Sequence, residues 1–263
     1  KSKVEPEFSF IPAGRTNLTG GILADRCSKN ARNLYLAIDH RVLEDVFRET
    51  HDSWYAEPEF VGHYLASGPL LYEATGNEEI KRRNEALVET IVANQREDGY
   101  LGTYHRGLEF DYTFSVWNQN FMIKGLLAQY EHFGNEAALE AAMKCADYNA
   151  GAFLHSDTLE LLLALNQGIQ HATILEEMAH LYSITGKQLY LDFAGYIINR
   201  LENSSIKVIT IPNTAEFWAI PYMMGCTKGI EMFNIYYGVL KMYEITGDES
   251  YHQDYYKNNP VRY

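Results

Sequence analysis

The sequence predicts an all-α protein, a toroid of helical hairpins whose inner helices line a cleft. Three observations predict it. A short Tyr-containing segment ending in Gly occurs four times, at intervals of 52 to 61 residues. Apolar residues with helical spacing flank each of these glycines on both sides. Strand signals are almost absent.

The four segments are Leu71-Tyr72-Glu73-Ala74-Thr75-Gly76-Asn77-Glu78, Gln129-Tyr130-Glu131-His132-Phe133-Gly134-Asn135-Glu136, Leu181-Tyr182-Ser183-Ile184-Thr185-Gly186-Lys187-Gln188 and Met242-Tyr243-Glu244-Ile245-Thr246-Gly247-Asp248-Glu249. Glycine reaches the left-handed conformation without a Cβ clash, so each Gly ends one helix. The polar residues after it open the next.

The first hairpin pairs His63–Tyr72 with a stripe of Ile80, Leu87, Val88, Ile91 and Val92. The second pairs Phe121–Tyr130 with Ala137–Tyr148, and the third Thr173–Tyr182 with Leu189–Leu201. The fourth opens with Ile230–Tyr243, and its second helix starts near Ser250. Units of this length are too long for tetratricopeptide repeats. Residues 1–20 read as an extended arm and 21–263 as the toroid. A closed ring needs six such hairpins, so four are expected to be part of a ring. Ile206–Ile211 alternates and stops at Pro212, which predicts one short strand in a loop.

Composition narrows the function. The 263 residues carry 22 Lys and Arg against 35 Asp and Glu, a formal charge of −13. An acidic chain repels phosphate backbones, which argues against nucleic acid as a partner. No apolar run is long enough for a membrane span. The chain opens without Met or an apolar stretch, so a signal peptide is expected to be removed or never present. Cys27, Cys145 and Cys226 lie far apart, with no CxxC pair and no metal spacing. Nucleotide, nucleophile-elbow and zinc-protease motifs are missing. Tyr, with 20 copies, joins an apolar ring to a hydroxyl and suits carbohydrate surfaces as well as helical cores.

Polar residues near the starts of the inner helices are the candidate site: His63, Asn120, His171, and the pair Lys228 and Glu231. Equivalent positions in repeated helices would ring one axis. His63 and His171 are expected in a common cleft, with Trp117 and Tyr64 near its rim. Among the carboxylates Glu57, Glu59, Glu176, Glu177 and Glu231, most are expected on solvated helix surfaces. At most one of Glu176 and Glu177 can face the cleft. Glu231 stands out because its surroundings are apolar, and it is the candidate catalytic carboxyl.

Several motifs carry a resemblance. They are Gly20-Gly21-Ile22-Leu23-Ala24-Asp25-Arg26-Cys27-Ser28-Lys29-Asn30, Phe60–Leu65, Gln95-Arg96-Glu97-Asp98-Gly99-Tyr100-Leu101, Trp117–Leu127, His171–Gly186 and Lys228-Gly229-Ile230-Glu231-Met232. Together they resemble the catalytic domain of glycoside hydrolase family 127, the β-L-arabinofuranosidases and relatives. The resemblance implies an (α/α)6 barrel, a sugar pocket on its axis, and hydrolysis of L-arabinofuranosides or related sugars with retention. It also implies, for the full-length parent, a zinc-bound cysteine nucleophile and a glutamate acid/base. The zinc ligands of the family come from a Glu-Thr-Cys motif and a later Cys pair. This sequence has neither, and the resemblance places them after the fourth hairpin. His171 matches a pocket histidine of the family, whereas Asn120 stands where many relatives carry His or Lys. Cys226 lacks the nucleophile's context.

These 263 residues alone are therefore not expected to hydrolyse glycosides. Partners implied are a glycoside or oligosaccharide and, for oligomerisation, a second copy. Two alternatives stay open: a non-catalytic carbohydrate-binding toroid, and an N-acylglucosamine 2-epimerase-like enzyme using His63 and His171 as acid and base without zinc.

Overall fold

The computed structural model describes residues 2–4, 18–48, 50, 56–110, 114–156, 159–163, 168–210 and 229–252. Helix makes up 74% of them and no strand occurs among them. The helices are α1 (Gly21–Asn30), continued by a π-helical turn (Ala31–Tyr35), α2 (His40–Asp45), α3 (Glu57–Thr75), α4 (Glu78–Asn94), α5 (Ser115–Phe133), α6 (Glu136–Leu154), α7 (Ile169–Ala172), α8 (Leu175–Thr185), α9 (Gln188–Glu202) and α10 (Gly229–Thr246). Three-residue 3-10 turns sit at Leu161–Leu163 and Glu249–Tyr251. Most of the predicted arm, and the segment after His252, lie outside the described residues.

The repeated segments are helical corners, and local chemistry builds them. The cap glycines Gly76, Gly134, Gly186 and Gly247 have φ of 63°, 67°, 69° and 65°. Each donates its N–H to the Tyr carbonyl four residues back, at 2.7–2.8 Å. In three corners a threonine does two jobs. Thr75, Thr185 and Thr246 donate to the carbonyls of Leu71, Leu181 and Met242, and accept from the amides of Asn77, Lys187 and Asp248. Asn77 and Asp248 then cap the next helical turn by accepting from Glu79 N–H and Ser250 N–H. Phe133 replaces the threonine in the second corner, and its ring meets Tyr72 edge-on at 5.4 Å.

The chain divides into two compact units. One takes Phe8–Glu109 and Asn118–Tyr148; the other takes Lys1–Glu7, Phe110–Trp117 and Asn149–Tyr263. In the first unit a buried amide chain ties three helices together. Pro69 lies inside α3 and has no N–H, which frees the carbonyl of Leu65 four residues earlier. Gln129 of α5 donates to that carbonyl at 2.6 Å and to Asn84 Oδ1 of α4 at 2.9 Å. Asn84 donates to Tyr35 Oη and Ile80 O, and Tyr35 donates to Tyr64 O. Gly68 makes room: a Cβ there would stand 2.3 Å from Tyr35 Oη and 2.5 Å from the Asn84 amide.

In the second unit α10 lies along α8 and also touches α7. Its buried residues Glu231, Met232, Ile235, Gly238, Val239, Met242 and Ile245 form one stripe. Gly238 permits the close approach, since a Cβ would reach Leu175 Cγ at 2.6 Å and Glu176 N at 3.0 Å.

The strand expected at Ile206–Ile211 is not one over its described part. Ile206–Thr210 turns instead, with Lys207 at φ 45°. The reason is local: Glu202 at the end of α9 takes the amides of Ile209 and Thr210, and Leu201 O takes that of Lys207. Backbone groups satisfied in this way are not left for a ladder. Alternation here only sends Ile206 and Val208 into the core.

Candidate functional site

Carboxylates gather in the first turns of the inner helices: Glu57 and Glu59 on α3, Glu176 and Glu177 on α8, Glu231 on α10. A helix N-terminus presents unpaired N–H groups and partial positive charge, which favours an anion there. Three of them are buried: Glu231, which the sequence set apart by its apolar surroundings, and Glu176 and Glu177, for which surface placement was the expectation. Glu231 is 0% exposed, Glu177 1% and Glu176 7%. Both Glu176 and Glu177 are buried because α10 covers the start of α8.

His171 sits beside them in sequence, on α7, and its ring is fully buried. Gly168, with φ 77°, starts this short helix against the Leu161–Leu162 backbone, where a Cβ would clash at 2.1 Å. The His171 ring lies 6.2 Å from Phe153, which stacks on Phe193. Thr173 donates to Gln170 O at 2.7 Å, tightening the turn between α7 and α8. Glu177 Oε2 is 3.8 Å from His180 Nδ1. This unit therefore holds one histidine, Gln170, Thr173 and three carboxylates in its buried interior. Sequence reading passed over Gln170 and Thr173. The signal was there: five polar residues within eight, Gln170 to Glu177, across the junction of α7 and α8.

The other unit holds His63 and Asn120. Here α3 and α5 cross at two glycines. A Cβ on Gly62 would meet Phe121 O at 2.3 Å, and one on Gly125 would meet Gly62 O at 2.6 Å. The crossing sets the His63 ring against Phe121, 4.4 Å between centroids. His63 Nε2 is 3.6 Å from Glu59 Oε1, and its side chain is half-exposed. It opens on a groove of about 510 Å³ lined by Leu34, Ile38, Leu43, Phe60 and Tyr64 among others. Tyr64 is buried there, stacked on Tyr35 at 3.9 Å. Asn120 is buried, as is Trp117 at the start of α5. His63 and Asn120 thus fall in one unit, and Trp117, His171 and Glu231 in the other. Lys228 and Cys226 lie outside the described residues.

Comparison with known proteins settles the family. The model of the β-L-arabinofuranosidase GH127 catalytic domain matches residues 15–257. The chain belongs to glycoside hydrolase family 127. No curated protein matches it in sequence. Among solved structures it is similar to a glycoside hydrolase (TM-score 0.60, 17% identity, 93% of this chain and 36% of that one). It is similar also to a GH127 β-arabinofuranosidase (0.58, 17%, 94% and 39%). A third is a GH127 β-L-arabinofuranosidase from Geobacillus stearothermophilus T6 (0.59, 16%, 91% and 42%). The chain spans about two fifths of the length of these structures. At such identities the likeness shows the fold, helical hairpins of the (α/α)-barrel type.

In this GH127 chain the Gln95–Leu101 motif is a structural latch. Gln95 donates to Gly99 O and to Ala141 O, fastening the turn to α6. Gly99 has φ 95°, and a Cβ would stand 2.3 Å from Lys144 O. Asp98 accepts from Tyr100 N–H and pairs with both arms of Arg96. Arg96 also donates to Glu109 and Tyr148 and lies 4.4 Å over the Tyr100 ring. Burial works against the Arg96 charge, but its bonds to Asp98 and Glu109 outweigh it and hold its pKa above the ordinary value. The bond from Arg96 holds the Asp98 carboxyl below the usual range. Burial, with the Glu109 charge, pushes Tyr148 up to about 12.

The zinc implied by the family does not fit the described residues. Among them no three His, Cys, Asp or Glu side chains group as a metal site. Burial raises the Cys145 thiol far above the reactive range, and its Sγ donates to Gln119 Oε1 at 3.4 Å.

Proposed function

We propose that this chain supplies the sugar-binding part of a retaining glycoside hydrolase acting on L-arabinofuranosides or closely related sugars. The observation that carries the reading is the buried set of His171, Glu177 and Glu231 at the starts of inner helices. Ionised carboxylates accept hydrogen bonds from sugar hydroxyls, and a protonated one can donate to a leaving oxygen. In this reading His171 orients a hydroxyl, and Glu231 serves as one of the two carboxyls that glycoside cleavage requires. No step is assigned to a metal-activated thiolate.

The test uses the full-length protein containing this chain on an aryl β-L-arabinofuranoside. Glu231→Gln should lower kcat by about 10²–10⁴, the usual contribution of a positioned acid or base. His171→Gln should act mainly on KM. Turnover unchanged by Glu231→Gln overturns the catalytic assignment. Failure of the wild type to bind or cleave any arabinofuranoside overturns the sugar class.

A further inference from the structure

We propose that Arg200 and Glu160 are positioning residues for His171. The proposal rests on the reading of His171 as a sugar ligand and names what holds that ligand in place. Helix α7, which carries His171, is only four residues long. So short a helix has almost no stability of its own and takes its place from what it packs against. One side of it meets α10, and another meets the 3-10 turn Leu161–Leu163.

That turn is held from the outer helix α9. Arg200, in the last turn of α9, donates from Nε to Glu160 Oε1 at 3.2 Å and from Nη2 to Glu160 Oε2. Two bonds from a planar guanidinium fix a carboxylate in direction as well as in distance. Glu160 Oε1 also accepts the N–H of Leu162, in the middle of the turn, at 3.3 Å. The carboxylate thus ties the Leu161–Leu162 backbone to α9.

The next contact has no slack. Gly168 begins α7 at φ 77°, and a Cβ on it would stand 2.1 Å from Leu162 Cα and 2.6 Å from Leu161 O. Main chain lies directly on main chain there, with no side chain between to absorb a shift. His171 follows three residues later. Residues i and i+3 share a helix face, and side chains lean toward the N-terminus, so a shift of the turn under Gly168 carries the imidazole with it. The same face of α9 gives a second support. Phe193, two turns before Arg200, stacks on Phe153 at 5.8 Å, and Phe153 meets the His171 ring at 6.2 Å. The aromatic pair limits the ring from one side, and the ion pair sets the backbone that carries it. The Arg200 and Glu160 side chains are 39% and 31% exposed. An ion pair in contact with water adds little to global stability, so its effect is local.

The test uses the full-length protein containing this chain and an aryl β-L-arabinofuranoside. Arg200→Gln and Glu160→Gln should each raise KM about three- to five-fold, the most that a pair in contact with water contributes. Both should leave kcat within about two-fold, as loss of ground-state binding does. Arg200→Lys keeps the charge and one bond, and should fall between wild type and Arg200→Gln. In a His171→Gln background neither substitution should raise KM further, because the residue they place is gone. A change that merely loosened the fold would add to the effect of His171→Gln. Provided that His171→Gln itself raises KM, an unchanged KM in both single variants overturns the proposal, and so does an additive rise in the His171→Gln background. A second readout is free of the sugar. With histidine carrying carbon-13 at Cε1, the nuclear magnetic resonance signal of His171, identified by its absence in His171→Gln, should move in Arg200→Gln and in Glu160→Gln. If His171→Gln leaves KM unchanged, the sugar-ligand reading fails and this signal decides the positioning: moved, it sustains the proposal, and unmoved, it overturns it. Should Arg200→Gln fail to fold, Arg200→Lys and Glu160→Gln take its place in every comparison.

Discussion

Pro69 and Gln129 should be coupled, and a double-mutant cycle measures by how much. Gln129→Met removes both donations of the side-chain amide, leaving Leu65 O and Asn84 Oδ1 without them. A buried acceptor stripped of its donor costs about 1–3 kcal/mol. Part of that is offset, because Gln129 Oε1 itself meets no donor among the described residues. The net cost should be about 1–3 kcal/mol on this count. Pro69→Ala restores a main-chain N–H four residues beyond Leu65, so the freed carbonyl regains its helical partner. In that background Gln129→Met should cost about 1 kcal/mol less, a coupling typical of residues in one hydrogen-bond network. Urea unfolding of the four proteins, followed by circular dichroism, gives the cycle. Additivity within about 0.3 kcal/mol would refute the idea that Gln129 compensates for the proline.

Two further outcomes follow from the geometry. Gly62→Ala puts a methyl group 2.3 Å from a main-chain oxygen and should destabilise by about 1–3 kcal/mol, whereas Gly195→Ala, in α9 with nothing within 4 Å, should stabilise by up to about 1 kcal/mol. Equal and favourable shifts in both would show that α3 and α5 are not pinned at their glycines. The depressed Asp98 carboxyl adds stability that is full above its unfolded pKa of about 4 and is lost as pH falls through the lower folded value. Asp98→Asn should therefore flatten the acid limb of a stability–pH curve, and an unaltered limb would remove Asp98 from the latch.

What the sequence determined by itself is the hairpin rhythm. Each corner closes within about eight residues, through a Tyr carbonyl and a left-handed glycine, helped in three corners by a threonine hydroxyl and in three by an amide or acidic residue after the glycine. All the partners are near neighbours in the chain, so the pattern could be read without tertiary structure. Helices α1 and α2 escaped that reading because no such corner marks them. The Gln95–Leu101 motif was equally visible, but its role was not, since Arg96 meets Glu109 and Tyr148 only after folding. Alternation at Ile206–Thr210 pointed to a strand until a carboxylate seven and eight residues back took two of its amides. Burial of Glu176 and Glu177 belonged to tertiary structure, whereas the apolar surroundings of Glu231 were visible in the sequence. Glu176 and Glu177 read like surface glutamates until α10, more than forty residues later in the chain, lies against α8. The same holds for Gln129, whose partners Leu65 and Asn84 are 64 and 45 residues away. Local hydrogen bonds follow chain order and can be seen in it. Desolvation follows which faces meet, and no short window of sequence contains both faces.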